Sequence, residues 1–283
     1  MTEIAQVTLG GIVFDGQYPV HGWMLDDLTD WFSLPDSKAE SVARPQAHGS
    51  FDPGTDWRAG SVHTLTAGYA GASTAEVERA LRTLNGLAGT NTLVRCEVAL
   101  PSGVTHRMVS IRRIDAPPVY NLPFVTGIKI DLLAPDPCAY GTEVSAVTGL
   151  PTAGTGVQFP FAFPADFGTP GDPGRVVFVN EGTAPTPLRF RVSGGMSDGF
   201  SLKCIESSDV LTLSRPLPVG SSVTLDSSDG TAMLDGVSPV SGFLTDDDWW
   251  QVGPGETCTI QFEALGDVTG SPQLQVTGAP AWF

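Results

Sequence analysis

Gly195-Met196-Ser197-Asp198-Gly199 matches G-x-S-x-G, the pattern that lifts a nucleophilic serine onto a strained turn between a strand and a helix. The chemistry would be acyl transfer, and it needs a helix after the serine and a histidine base downstream. Phe200 to Ile205 alternates as a strand does, and all four histidines (His21, His48, His63, His106) precede the motif. The serine therefore reads as part of a hairpin turn. The histidines show neither H-E-x-x-H spacing nor an acidic partner at ligand distance, so they read as surface or satisfied core rings. Asp226-Ser227-Ser228-Asp229-Gly230 resembles a calcium loop only faintly. Counted from Asp226, it puts serine at position 3, glycine at 5 and threonine at 6, where an EF-hand needs ligands at 3 and 5 and glycine at 6. A type I′-like hairpin turn at Asp229-Gly230 fits better. Asp246-Asp247-Asp248-Trp249-Trp250 is the sharpest local feature. Three aspartates suit a cation, and Trp249 and Trp250 are glycan-binding candidates because indoles stack on sugar rings. The competing reading is a charged loop followed by a strand with one core tryptophan. No catalytic residue, cofactor site or metal site is assigned.

The elements that would carry these residues are mostly strands. Residues 4–14 read as a strand or hairpin arm, Tyr18–Trp31 has no clean period, and 34–60 is turn-rich. Ser73-Thr74-Ala75-Glu76 is a capping box. Val77, Leu81, Leu84 and Ala88 then form one apolar stripe, Glu78 and Arg82 pair at i, i+4, and Asn85-Gly86 and Gly89 supply stop signals. The spacing predicts a helix over 73–88. Strands follow over 92–100, 106–114 and 124–133, the first two joined by a turn at Pro101-Ser102-Gly103. Residues 141–173 are rich in Gly, Pro and Phe (Phe159-Pro160-Phe161-Ala162-Phe163-Pro164, then Phe167) and read as an extended linker. From Arg175 short strands recur between turns, the rhythm of a sandwich.

With 283 residues, the chain has room for two domains of ordinary size. Its 33 glycines and 23 prolines make up about a fifth of it, against a usual share of roughly 12%. That excess reads as turns and favours an all-β class. The net charge is −16, and the first 140 residues carry 10 basic and 15 acidic groups, the remainder 5 and 16. Such a surface has no electrostatic footprint for nucleic acid or anionic membranes. No basic leader opens the chain and no apolar run approaches the roughly 18 residues that span a bilayer. Folding in a cytoplasm is expected, with Cys96, Cys138, Cys204 and Cys258 as structural buried thiols.

One phrase is more specific than these averages. Gly174-Arg175-Val176-Val177-Phe178-Val179-Asn180-Glu181-Gly182-Thr183-Ala184-Pro185-Thr186-Pro187-Leu188-Arg189-Phe190-Arg191-Val192-Ser193-Gly194 sets two period-two runs around a polar, proline-studded turn. It resembles the opening of the C-terminal domain in siphophage distal tail proteins. The likeness extends over nearly the whole chain. The 73–89 helix, the exit phrase Leu132-Leu133-Ala134-Pro135-Asp136-Pro137-Cys138-Ala139-Tyr140-Gly141, the turns at Thr224–Asp226, Asp229-Gly230 and Leu234–Gly236, and Trp249–Thr257 stand in that family's order.

The resemblance implies a mainly β chain. Residues 1–140 would be a ring-forming, barrel-like β domain with one helix, 141–173 a linker, and 174–283 a galectin-like or carbohydrate-module-like sandwich. It implies structural work and no enzyme. A homohexameric ring joins the tail tube to a hub or fibre protein, and the tape-measure protein and DNA pass through its channel. The place is the virion tail tip, after assembly in the host cytoplasm. Ring closure needs one patch to meet a different patch on the next copy, and strand edges of the first domain are expected to supply them. Acidic walls would let DNA pass without sticking. The sandwich either braces neighbours or contacts a host or another tip protein. In some members the last strand returns to the first domain, and Ala279-Pro280-Ala281-Trp282-Phe283 is apolar enough to do so. Alternatives are a host-glycan adhesion module acting through Trp249 and Trp250 and, third, a cell-wall depolymerase. Against the last stands the missing catalytic constellation.

Overall fold

The computed structural model describes residues 4–52, 54, 56–90, 92–154 and 170–283. The chain divides into two compact units, Met1–Gly141 with Phe283, and Thr142–Trp282. As expected, it is mainly β. No helix among the described residues is long and apolar enough to cross a membrane.

The first unit contains β1 (Gln6–Leu9), β2 (Ile12–Asp15), β3 (Gly22–Leu28), β4 (Ser61–Ala70), α1 (Thr74–Ala88), β5 (Val94–Leu100), β6 (Gly103–Asp115), β7 (Phe124–Ala134) and β8 (Ala139–Tyr140). Seven strands pair in the order β6-β5-β1-β2-β3-β4-β7, and β7 pairs back to β6, so the sheet closes into a barrel. Only the β2–β3 pairing within that ring is parallel. Inward positions at period two fill it, among them Val7, Leu9, Phe14, Leu65, Val98, Val109, Ile130 and Leu132, all 0% exposed. The missing period in Tyr18–Trp31 has a cause. β3 carries a bulge between Leu25 and Asp27, which switches the inward phase from Leu25 to Leu28.

Helix α1 starts where its cap predicts. Ser73 accepts a hydrogen bond from the Glu76 amide at 3.3 Å. The reciprocal half is shifted by one residue, because the Glu76 carboxylate accepts from the Ala72 amide at 2.9 Å and from the Tyr69 hydroxyl at 3.2 Å. Glu76 thus ties the helix start to β4. Val77 and Leu84 are buried, the helix runs through Asn85-Gly86, and Gly89 caps it. In the exit phrase, the Asp136 carboxylate accepts from the Cys138 amide at 3.0 Å and the Tyr140 hydroxyl at 2.7 Å, closing a turn after the barrel.

The second unit contains β9 (Val144–Gly149), β10 (Arg175–Val179), β11 (Thr186–Pro187), β12 (Arg189–Met196), β13 (Gly199–Cys204), β14 (Val210–Leu213), β15 (Ser222–Asp226), β16 (Thr231–Leu234), β17 (Ser238–Pro239), β18 (Leu244–Asp247), β19 (Gln251–Val252), β20 (Thr257–Leu265), β21 (Val268–Gly278) and β22 (Ala281–Trp282). One sheet runs β10-β20-β13-β14-β18 and the other β17-β16-β15-β12-β21-β9. A single apolar cluster that includes Phe178, Phe190, Phe200, Leu225, Phe262 and Val276 lies between them. The expected linker is corrected in its first part. Residues 144–149 are not linker but β9, paired with β21 from Val144 against Gly278 to Gly149 against Gln273. The Phe159–Pro164 run and Phe167 lie outside the described residues.

Candidate functional site

The G-x-S-x-G serine sits at a corner of the sandwich. β12 belongs to the six-stranded sheet and β13 to the five-stranded one, so Ser197-Asp198 carries the chain from one sheet to the other. It is a crossing and not the hairpin turn the pattern suggested. Ser197 Oγ donates to Asp198 Oδ2 at 3.0 Å and accepts from the Asp267 amide at 2.8 Å. Both glycines serve the corner. A Cβ on Gly199, whose φ is +105°, would strike the Leu213 carbonyl, and one on Gly195 would strike Thr269. The second unit contains no histidine, so this serine has no imidazole base within its own unit.

Trp249 and Trp250 part company. Trp250 is 6% exposed and packs on Phe190 with ring centroids 5.3 Å apart. A ring buried in the core presents no face to a sugar, which removes it as a glycan-stacking residue. Trp249 is half-buried, its indole against Gly230. Asp246 and Asp247 are not in a loop: they lie on β18, the end strand of the five-stranded sheet, opposite Thr212 and Leu211. Exposed carboxylates on an end strand repel a second sheet edge, which accounts for the run without a cation. The Asp226–Gly230 segment is a hairpin, but with a four-residue loop between Asp226 and Thr231, and only Gly230 has positive φ.

A polar groove of about 560 Å³ lies on the outer face of the six-stranded sheet. Arg189, Arg191, Ser222, Thr224, Gln275 and Thr277 line it, and neither tryptophan does. Arg189 is paired with Asp226 at 3.0 Å, whereas among the described residues Arg191 reaches only the Ser222 hydroxyl, at 3.4 Å.

In the first unit the polar residues that matter are buried, and pattern reading missed them. Arg107 is 1% exposed. Its Nη1 donates to the Trp31 carbonyl at 2.7 Å, and its guanidinium lies 4.5 Å over the Trp31 ring. It forms no ion pair among the described residues. The available signal was phase: Arg107 shares the inward register of β6 with Val109. His63 is also fully buried, 2.9 Å from the Ser61 hydroxyl and 5.3 Å from the Trp31 ring. Burial, with help from the Arg107 charge, pushes its pKa down to about 4.

These contacts anchor the start of a long arm, residues 29–60, between β3 and β4. It is a sparse hairpin: the Lys38 amide donates to the Trp57 carbonyl at 2.7 Å, Ala59 to Asp36 at 2.8 Å, and Phe51 to Val42 at 2.9 Å. Beyond the buried Trp31, its large apolar side chains point outward. Phe32, Leu34, Val42, Phe51 and Trp57 are 55–72% exposed. Single exposed hydrophobes are ordinary; here several stand on one arm.

No protein-family model and no curated protein sequence matches this chain. Solved structures do. The Dit protein (gp 19.1) of phage SPP1, described as a paradigm of the hub adsorption apparatus in phages infecting Gram-positive hosts, superposes with a TM-score of 0.65 at 12% identity, covering 98% of this chain and 99% of that one. A chain of the phage P2 baseplate in its activated conformation with calcium gives 0.58 at 8% identity over 96% and 97% of the two chains, and its strontium counterpart gives 0.56. The barrel-plus-sandwich fold of these phage proteins is therefore the fold of this chain.

Proposed function

We propose that this chain is a structural part of the tip of a long non-contractile phage tail. Six copies close into a ring that joins the tail tube to hub or fibre proteins, around a channel for the tape-measure protein and DNA. The observation that supports this is the likeness to SPP1 Dit over 98% of the chain, across both units. At 12% identity, what is shared is shape, and shape is what a mechanical part requires. The Ser61 hydroxyl and the His63 ring, 2.9 Å apart, are both buried and present no open nucleophile.

One expected detail changes. Free strand edges were to join neighbouring copies, yet the seven barrel strands close on each other and use their edges internally. The arm takes over that role in this proposal, its exposed apolar residues docking on a different patch of the next copy. Native mass spectrometry of the purified chain and electron microscopy of tails test it. The expected result is a closed oligomer that Phe32→Ser, Phe51→Ser and Trp57→Ser together reduce to monomer without changing the circular dichroism. A wild-type chain that is monomeric in solution and missing from tails would refute the proposal.

The polar groove favours a second reading, host-glycan adhesion by the second unit. Glycan-array binding lost in Arg191→Ala would support it, with Trp249→Ala reporting on the remaining indole. An array with no wild-type signal removes the reading.

A further inference from the structure

Expected as structural buried thiols, the cysteines include two that meet. Cys204 ends β13, Cys258 lies in β20, 54 positions apart in sequence, and their Sγ atoms are 3.0 Å apart. They are 4% and 3% exposed. The ladder explains the meeting. Cys204 lies opposite Ile260, and the Ile205 amide continues the pairing to the Thr259 carbonyl. Cys258 therefore occupies the diagonal position on the same inner face.

The Glu206 carboxylate lies 3.6 Å from Cys204 Sγ, so a cation site has to be weighed. The donor set decides against it: Cys204, Glu206 and Cys258 are three groups, where a closed structural zinc site takes four. The same Glu206 oxygen already accepts from the Thr259 amide at 2.7 Å. A disulfide needs sulfurs about 2.05 Å apart, so closure asks for about 1 Å of side-chain movement.

We propose that Cys204 and Cys258 are a reversible cross-link that closes under oxidising conditions and locks β13 to β20 in the sandwich core. The oxidant is a small-molecule disulfide. A Cys204 thiolate attacks it and expels one small thiol, leaving a mixed disulfide on Cys204. The Cys258 thiolate then attacks the Cys204 sulfur and expels the second small thiol. Two protein S–H groups are lost, one S–S bond forms, the oxidant is reduced to two thiols, and these carry off both protons. Access comes from the exposed turn Ile205–Ser208 directly after Cys204. The step is slow at neutral pH, because burial and the adjoining Cys204 sulfur, with a smaller part from the Glu206 charge, disfavour the Cys258 thiolate. None of this depends on the tail-tip reading.

The test treats the purified full chain with oxidised glutathione at mildly alkaline pH, natively and in parallel under mild urea so that the core opens. Acid quenching, denaturing alkylation and mass spectrometry follow. Expected are a loss of about 2 Da, two alkylated cysteines in place of four, and a cross-linked peptide holding Cys204 and Cys258. The second unit should melt several degrees higher until reductant is added. Cys204→Ser should leave every remaining thiol alkylatable, whereas Cys258→Ser, which lacks the resolving thiol, should carry glutathione on Cys204 and form no cross-link. Four alkylated thiols in both arms would overturn the proposal. So would a cross-link through Cys96 or Cys138, a product arrested at the glutathione mixed disulfide, or stoichiometric zinc in the purified chain.

Discussion

Asn180 gives the most demanding test of this account of the sandwich. Its side chain is 0% exposed and joins segments far apart in the chain. Nδ2 lies 2.8 Å from the Ala184 carbonyl, 3.0 Å from that of Val252 and 3.1 Å from that of Gly253. Oδ1 accepts from the Gly182 amide at 3.0 Å and the Ala281 amide at 3.3 Å. Nδ2 has two hydrogens, so three carbonyls share two donated bonds, and Oδ1 adds two accepted ones. At about 1 kcal/mol net for each bond, Asn180→Ala costs about 4 kcal/mol, since the cut leaves buried backbone groups unpaired. With a urea slope of about 2 kcal/mol/M, the midpoint of the second unit falls by about 2 M. Asn180→Asp adds a pH signature. Its carboxylate would face three carbonyls, so its pKa rises on folding. The folded state then holds the proton more tightly than the unfolded one, and stability falls as pH climbs through the unfolded value of about 4. Urea unfolding followed by hydrogen exchange reads both variants, with first-unit peptides as internal control. An Asn180→Ala loss under about 1 kcal/mol, or an Asn180→Asp penalty equal at pH 4 and pH 7, would refute the reasoning.

Three further outcomes are expected. His63 is buried neutral and binds its proton only near pH 4, while the unfolded ring binds near 6.5, so between these values the unfolded state holds more protons. First-unit stability is therefore complete above about pH 6.5 and falls by up to about 3 kcal/mol toward pH 4; urea midpoints across pH should show this slope, and His63→Gln should flatten it. Arg107→Met removes a buried charge and also the bond that holds Trp31, so amide exchange in residues 32–60 should quicken about tenfold or more while Leu65 and Ile130 stay protected. Trp250→Ala empties a core position and should cost about 3–5 kcal/mol by urea unfolding, and Trp249→Ala clearly less.

What the sequence disclosed follows from how locally each feature is encoded. The 73–88 helix was legible because its cap and its stripe are short-range signals. The sandwich strands were legible because Val176, Phe178, Leu188, Phe190 and Val192 keep strict alternation. β3 was not, since its bulge breaks the period within seven residues. β9 was hidden because Val144-Ser145-Ala146-Val147-Thr148-Gly149 carries few large apolar residues and draws its identity from β21. The fate of Ser197 was also a tertiary matter: local pattern shows that a turn follows β12, and only sheet membership shows that the turn changes sheets. Trp249 and Trp250 were adjacent letters with one candidate role, and packing divided them. Asn180 read as a turn residue, because its partners at Val252, Gly253 and Ala281 stand 72 to 101 positions away.

The features that looked most like chemistry are placed where a sandwich has structural problems to solve. A chain that passes between two sheets needs corners, and Gly195 and Gly199 permit one. An end strand that must not recruit another sheet needs charge, and β18 carries Asp246 and Asp247 there. In the six-stranded sheet, the end strand β17 carries Pro239, which has no amide to donate to a further strand. A barrel whose strands pair all the way round has no edge of its own to guard. A part that binds copies of itself in one way must suppress the other ways. Closed barrel, charged end strand and proline end strand each suppress edge pairing, and the arm over residues 29–60 concentrates exposed apolar surface instead. Association through the arm therefore predicts that adding charge to β18, as in Thr245→Asp, leaves the oligomer intact, whereas Trp57→Asp alone weakens it. Native mass spectrometry of the two variants side by side separates arm-driven from edge-driven assembly, and the reverse pattern would require a free strand edge as the interface.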